Sequence, residues 1–168
     1  MNEGVHKLNL KSDGAMLGIS TAAWQSALKR CEADPGAQIR HAPIAGTAAY
    51  RTHVAEIGES VTCHFHQRGD EDYAILSGRG RLHWGAVVKT ADGAFDVAWE
   101  ASLSVASGDS FRIPAGYAHQ LENLGRDAMV ILFGCPDSHI DDCADRIMLP
   151  TAPELVRARS VFDSGVQP

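Results

Sequence analysis

The sequence predicts an all-β domain, a small closed barrel or jelly roll, with a short helix before it and an irregular segment after it. Three observations carry that prediction. Sixteen glycines and seven prolines recur as punctuation between short runs. Eight of those runs, between residues 48 and 134, have the length and patterning of strands, with no low-complexity block or fixed-period repeat among them. The length, 168 residues, suits one domain. A chain of that size buries roughly 69% of the surface its unfolded form exposes, enough to fold on one core without disulfide staples.

Residues 1–47 read as an N-terminal helix and extension. Trp24, Ala27, Leu28 and Cys31 fall at i, i+3, i+4 and i+7 on one helical face. Ser20 or Thr21 can cap its start, Lys29 and Arg30 suit its C-terminal dipole, and Asp34-Pro35-Gly36 stops it. The helix is expected to pack outside a sheet. Residues 48–134 read as the barrel, with strands at 48–57, 61–66, 72–77, 80–88, 95–100, 110–113, 117–123 and 127–134. Asp92-Gly93 marks the tip of a long hairpin, because that pair favours the positive backbone angles of a tight turn. Alternation leaves open whether Arg51 and His53, or Tyr50, Thr52 and Val54, face inward. Residues 135–168 read as an acidic segment with a short helix, then a tail expected to be partly mobile.

Charge and composition exclude several classes of function. Twenty-one acidic residues against 15 basic ones, a formal charge of −6, offer no footprint for nucleic acid or for an anionic membrane surface. The longest apolar run, Met129 to Phe133, is far below the roughly 20 residues of a membrane span. Met1-Asn2-Glu3-Gly4 shows no secretory-signal pattern, so the expected location is cytoplasmic. Cys31, Cys63, Cys135 and Cys143 form no Cys-x-x-Cys pair and are expected to be reduced thiols.

Histidine is the compositional outlier, with eight residues. His64 and His66 lie two apart in a strand-like run, so both imidazoles project from one face. Glu71 follows the turn at Gly69, and if it opens the next antiparallel strand its carboxylate faces the same spot from beside the histidines. His119 follows the rigid turn Pro114-Ala115-Gly116-Tyr117, which can deliver a third imidazole from across the barrel. Asp70 and Asp72 flank Glu71, but a one-residue shift points them to the opposite face. Three imidazoles and one carboxylate suit a divalent transition metal. His6, His41, His53, His83 and His139 have no comparable spacing and read as surface or hydrogen-bonded residues.

Two stretches complete a known pattern. GESVTCHFHQRGDEDYAILSG, Gly58 to Gly78, fits G-x5-H-x-H-x4-E-x6-G, and GDSFRIPAGYAHQLEN, Gly108 to Asn123, fits G-x5-P-x-G-x2-H-x3-N. On these residues the chain resembles the cupin superfamily, in its small single-domain bacterial form, over Gly58 to Asn123 directly. The resemblance implies a jelly-roll β-barrel, with His64, His66, Glu71 and His119 in the metal-ligand positions.

That ligand set leaves one or two coordination positions open on one divalent ion per chain, Fe ahead of Mn, Ni, Zn or Co. Alternation brings Tyr73, Ile75, Leu121 and Asn123 inward, and Phe111, Ile113, Ile131 and Phe133 add an apolar lining. Such a cavity selects a small organic molecule. The expected function is a metal-dependent cupin enzyme, with dioxygenase-type chemistry ahead of a redox-neutral isomerase, lyase or cyclase. A non-catalytic small-ligand-binding cupin is the alternative. Tyr73, Tyr117 and Gln120 are the candidates for a proton donor or substrate hydrogen bond. The expected partners are a small-molecule substrate and a second copy of the chain, a homodimer joined through residues 37–57, with no nucleic acid and no membrane.

Overall fold

The computed structural model describes residues 6–8 and 18–150; the expected tail beyond 150 lies outside them. Two antiparallel sheets face one another. The seven-stranded sheet runs β1 (His6–Leu8), β9 (Ser110–Ile113), β6 (Glu71–Ser77), β11 (Met129–Cys135), β4 (Tyr50–Ile57), β3 (Ile39–Thr47), β2 (Glu32–Asp34). The five-stranded sheet runs β12 (Arg146–Met148), β5 (His64–His66), β10 (Tyr117–Asn123), β7 (Arg79–Lys89), β8 (Phe95–Ala106). From β4 onward consecutive strands cross from one sheet to the other, except within the β7–β8 hairpin, which makes the domain a jelly roll. Ile57, Ile75 and Ile131 from the first sheet pack with Leu82, Val105 and Leu121 from the second in one buried core.

The helix α1 (Thr21–Leu28) begins where Ser20 caps it, the hydroxyl accepting from the Ala23 N–H at 3.3 Å. It stops one turn earlier than the spacing suggests. Arg30 N–H turns back to the Ala27 carbonyl, leaving Cys31 beyond the helix yet buried. Ala27 and Cys31 pack with Ala42, Val54 and Leu132 on the outside of the seven-stranded sheet. Val54 therefore faces the helix, and the face of β4 carrying Ala55 and Ile57 belongs to the barrel interior.

Several strands differ from the sequence reading. β2 and β3 extend the sheet into the segment read as helix and extension; Pro43 and Gly46 hide β3, and a register shift falls between Pro43 and Ala45. β5 is only three residues long, because the N–H groups of Val61 and Thr62 bond the Leu121 and Ala37 carbonyls before the strand begins. β8 runs on to Ala106 beside β7. The segment after the barrel is not peripheral: a short helix α2 (Ser138–Asp141) leads to β12, which pairs with β5 in the register Arg146↔His66, Ile147↔Phe65 and Met148↔His64. The Asp92-Gly93 turn closes the β7–β8 hairpin, with Gly93 at φ 84°. Cys31, Cys63 and Cys135 are buried free thiols and Cys143 an exposed one. Among the described residues no helix is long and apolar enough to cross a membrane.

Candidate metal centre

β5 puts His64 and His66 on the barrel side, while Phe65, with Cys63, joins an apolar cluster on the other face. β10 is the direct neighbour of β5, and His119 pairs with His64 in register. The turn that launches β10 is itself bonded to the ligand strand: the Gly116 N–H donates to the His66 carbonyl at 2.7 Å, with Gly116 at φ 81°. Glu71 opens β6 in the facing sheet. The arrangement thus inverts the sequence expectation, with His119 beside the histidine pair and Glu71 reaching across. The reason is that β10 and β12 occupy both edges of β5, so the chain must change sheets at the Gly69 turn.

The four groups converge. One ligand-capable atom from each of His64, His66, Glu71 and His119 lies within 4.8 Å of all the others, and all four residues are buried. Glu71 Oε2 is 3.2 Å from His119 Nε2 and 3.4 Å from His66 Nε2. Metal–ligand bonds of about 2.1 Å put neighbouring ligands roughly 3.0 to 3.4 Å apart, and these separations match the edges of such a coordination polyhedron. The two Nε2 atoms are buried and make no hydrogen bond. Nδ1 of His64 lies 2.7 Å from the Thr62 carbonyl, and Nδ1 of His119 lies 3.2 Å from the Tyr117 carbonyl. A carbonyl only accepts, so each Nδ1 carries the hydrogen and each Nε2 presents its lone pair to the centre. These residues fit a divalent ion.

Electrostatics agree. Burial, then the neighbouring His119 and His66 rings, holds the His64 imidazole well below its ordinary range. Burial also lowers His66, partly offset by Glu71. Burial would raise Glu71, but the facing His119 and His66 outweigh it and keep the carboxylate ionised. Tyr73 donates its hydroxyl to Glu71 Oε2 at 3.2 Å, and burial with the adjacent carboxylate drives its own pKa well up, so it stays a phenol. The flanking acids are engaged elsewhere: Asp72 accepts from Arg112 at 2.7 Å and from Tyr50 at 2.8 Å, and Asp70 accepts from the Ala115 N–H.

A small cavity reaches the centre. His64, His66, Glu71 and Tyr73 line it, with Val61, Ile131 and Phe133 as apolar wall. Tyr117 and Gln120 are not among the lining residues. Tyr117 is half-buried against the core, and the Gln120 amide donates to the Val61 carbonyl at 3.0 Å. Asn123 turns its amide to the carbonyls of Gly58 and Asp127 and secures a turn. Four further polar residues join the wall without any signal in sequence spacing: Asp34, His41, His139 and Arg146. Arg146 and Asp34 pair at 2.6 Å. His139 is not a surface residue but 2% exposed, its ring flat against His66 with centroids 3.6 Å apart. His53 is also buried, stacked on Phe133 at 4.8 Å, and burial lowers its pKa to about 4. His83 is held by Ser102 at 2.7 Å.

No family model matches the sequence, and no curated protein matches it. Solved structures do. A conserved protein with a double-stranded β-helix domain from Klebsiella pneumoniae subsp. pneumoniae superposes at a TM-score of 0.53 and 15% identity, covering 74% of this chain and 95% of that one. A single-site mutant of Bacillus subtilis oxalate decarboxylase gives 0.51 and 19% identity over 79% of this chain and 35% of that one. A structure of the same decarboxylase, in work on its Mn(II) centres, gives 0.50 at 19% identity with the same coverage, 79% and 35%. This chain therefore spans about a third of the decarboxylase's length but nearly all of the Klebsiella protein's. The chain has the double-stranded β-helix fold that its two motifs imply, the fold of the cupin superfamily.

Proposed function

We propose that this chain is a divalent-metal-dependent enzyme acting on a small organic molecule, with one transition-metal ion held by His64, His66, Glu71 and His119. The observation that supports it is the convergence of three buried imidazoles and a buried carboxylate, two of the ring nitrogens without a hydrogen bond, with His64, His66 and Glu71 lining a cavity. Three neutral rings and one carboxylate leave a divalent ion about one net positive charge, and four protein ligands leave one or two positions free. A bound ion supplies Lewis acidity and, when it is iron, redox chemistry with dioxygen. The chain's own residues do the rest. Tyr73 fixes the Glu71 carboxylate, and Val61, Ile131 and Phe133 keep water away from the reacting molecule.

The apolar wall favours an iron oxygenase, and the likeness to oxalate decarboxylase favours a redox-neutral lyase as the second reading. Protein reloaded with Fe(II) or Mn(II) without air, then assayed for oxygen uptake and substrate loss on small carboxylates, hydroxyketones and phenols, separates them. Metal-dependent turnover that disappears in His66→Ala and His119→Ala is the expected result. Tight binding without turnover in every metal form would assign a binding protein instead.

We also infer a homodimer. Beyond His41 the outer edge of β3 has no strand beside it among the described residues, whereas both edges of β4 are paired within the chain. The proposed contact is therefore confined to residues 42–47 of the expected 37–57.

A further inference from the structure

His139 is a feature the four ligands do not account for. It lies outside both motifs, on α2, yet it is buried against the centre. Its Nε2 sits 2.5 Å from the Arg68 carbonyl. A carbonyl only accepts, so Nε2 carries the hydrogen and, in the neutral ring, Nδ1 carries the lone pair. That Nδ1 is buried and has no partner in the protein, on a ring that forms part of the cavity wall. Ligand-capable atoms of His139, Glu71 and Cys135 lie within 4.8 Å of one another. An acceptor so placed is costly unless a bound group donates to it.

The surrounding structure fixes this acceptor. Arg51 clamps Asp137, the residue before α2, through Nε at 2.8 Å and Nη2 at 2.9 Å. The Asp145 carboxylate ties Ser138 to the N–H groups of Gln67 and Arg68, so the carbonyl that orients His139 is itself held. Gly69 adopts φ 73°, and a Cβ there would come within 3.0 Å of Pro136. His66 has no partner for its Nδ1, unlike His64 and His119, and the flat stack at 5° between planes sets its ring instead.

We propose that Nδ1 of His139 is a fixed hydrogen-bond acceptor for a hydroxyl group on the small molecule bound at the metal centre. This rests on the reading of the site as a small-molecule metal centre and narrows its substrate class. The molecule offers an oxygen donor to the ion and, one or two bonds away, an O–H: an α-hydroxy acid, a hydroxyketone or an enol. An oxalate-like dianion, with no hydrogen to donate, does not satisfy His139.

The test uses glycolate, which carries a hydroxyl beside its carboxylate, and methoxyacetate, in which a methyl replaces that hydrogen. Their affinities are read from the visible spectrum of the full-length Co(II)-loaded protein. The glycolate-to-methoxyacetate preference is expected to fall about tenfold in His139→Phe, which keeps a flat ring on His66. It should stay within about twofold in His139→Asn, whose Oδ1 takes the place of Nδ1. An unchanged preference in His139→Phe overturns the proposal while leaving the metal reading intact; a folded protein that takes up no Co(II) overturns both. Should His139→Phe not fold, ¹⁵N spectra of the parent decide. Nδ1 must be unprotonated in the metal-free protein and must shift when glycolate, but not methoxyacetate, is added to the Zn(II) form. A protonated or unresponsive Nδ1 refutes the assignment.

Discussion

Asp145→Ala should destabilise the protein by about 1 to 3 kcal/mol. Asp145 is 0% exposed, and its carboxylate accepts from the Gln67 N–H at 3.0 Å, the Arg68 N–H at 2.9 Å and the Ser138 hydroxyl at 2.6 Å. Truncation leaves the Arg68 N–H without its acceptor, at a cost of about 1 to 3 kcal/mol, while the Gln67 N–H keeps the Asp145 backbone carbonyl at 3.1 Å and the serine hydroxyl can turn away. The nearby Arg68 guanidinium, 3.7 Å away on a side chain 62% exposed, adds little. Burial would raise the Asp145 pKa, but the Ser138 and Arg68 bonds hold it below the usual carboxylate range. Its contribution is therefore complete at neutral pH and is lost as pH falls through that lowered value. Equilibrium urea unfolding at pH 7 measures the effect, with Asp145→Asn expected to lose less than half as much because its amide oxygen still serves the two N–H groups. A loss under about 1 kcal/mol for Asp145→Ala, at unchanged m, would refute the claim that this carboxylate bolts the C-terminal segment to the ligand strand.

Glu71→Gln should weaken metal retention by about 100-fold or more, whereas Asp72→Asn, which loses contacts to Arg112 and Tyr50, should act on unfolding and leave metal affinity within a few-fold. Equal losses by competitive chelation would contradict the register of β6. His53, with its pKa lowered to about 4 by burial, takes up a proton on unfolding between there and its ordinary 6.5. Stability should fall as pH drops through that window, and His53→Leu should flatten the slope; an unchanged slope in urea titrations at pH 7 and pH 5 would show His53 is not the source. Sedimentation across a hundredfold concentration range should give twice the chain mass, and Ala45→Lys on the open edge of β3 should halve it; a chain that stays monomeric throughout has no such contact.

The central strands and the convergence of His64, His66, Glu71 and His119 were legible because both depend on local rules. His64 and His66 obey strand alternation, and Glu71 and His119 follow turns of fixed length around Gly69 and Gly116. Position across the fold was not legible. Spacing alone cannot say that β10 and β12 flank β5, which is why Glu71 and His119 exchange their expected places. β3 was hidden by Pro43 and Gly46, residues that disfavour a strand interior but fit near the bulge and end of this one. β12 is three residues long and exists by pairing with a strand some eighty positions earlier. Asp145 and His139 fall in the segment read as acidic with a short helix, and spacing carries no sign of their non-local bonds to Gln67 and Arg68.

The most direct test of the central claim is the metal content of purified, reloaded protein by elemental analysis, beside the ligand shell seen by X-ray absorption at that metal's edge. The account predicts one divalent ion per chain in a shell of nitrogen and oxygen that includes imidazole, lost in His64→Ala/His119→Ala and kept in Gln120→Ala. A folded protein that takes up no ion, or a double variant that retains one, would contradict it.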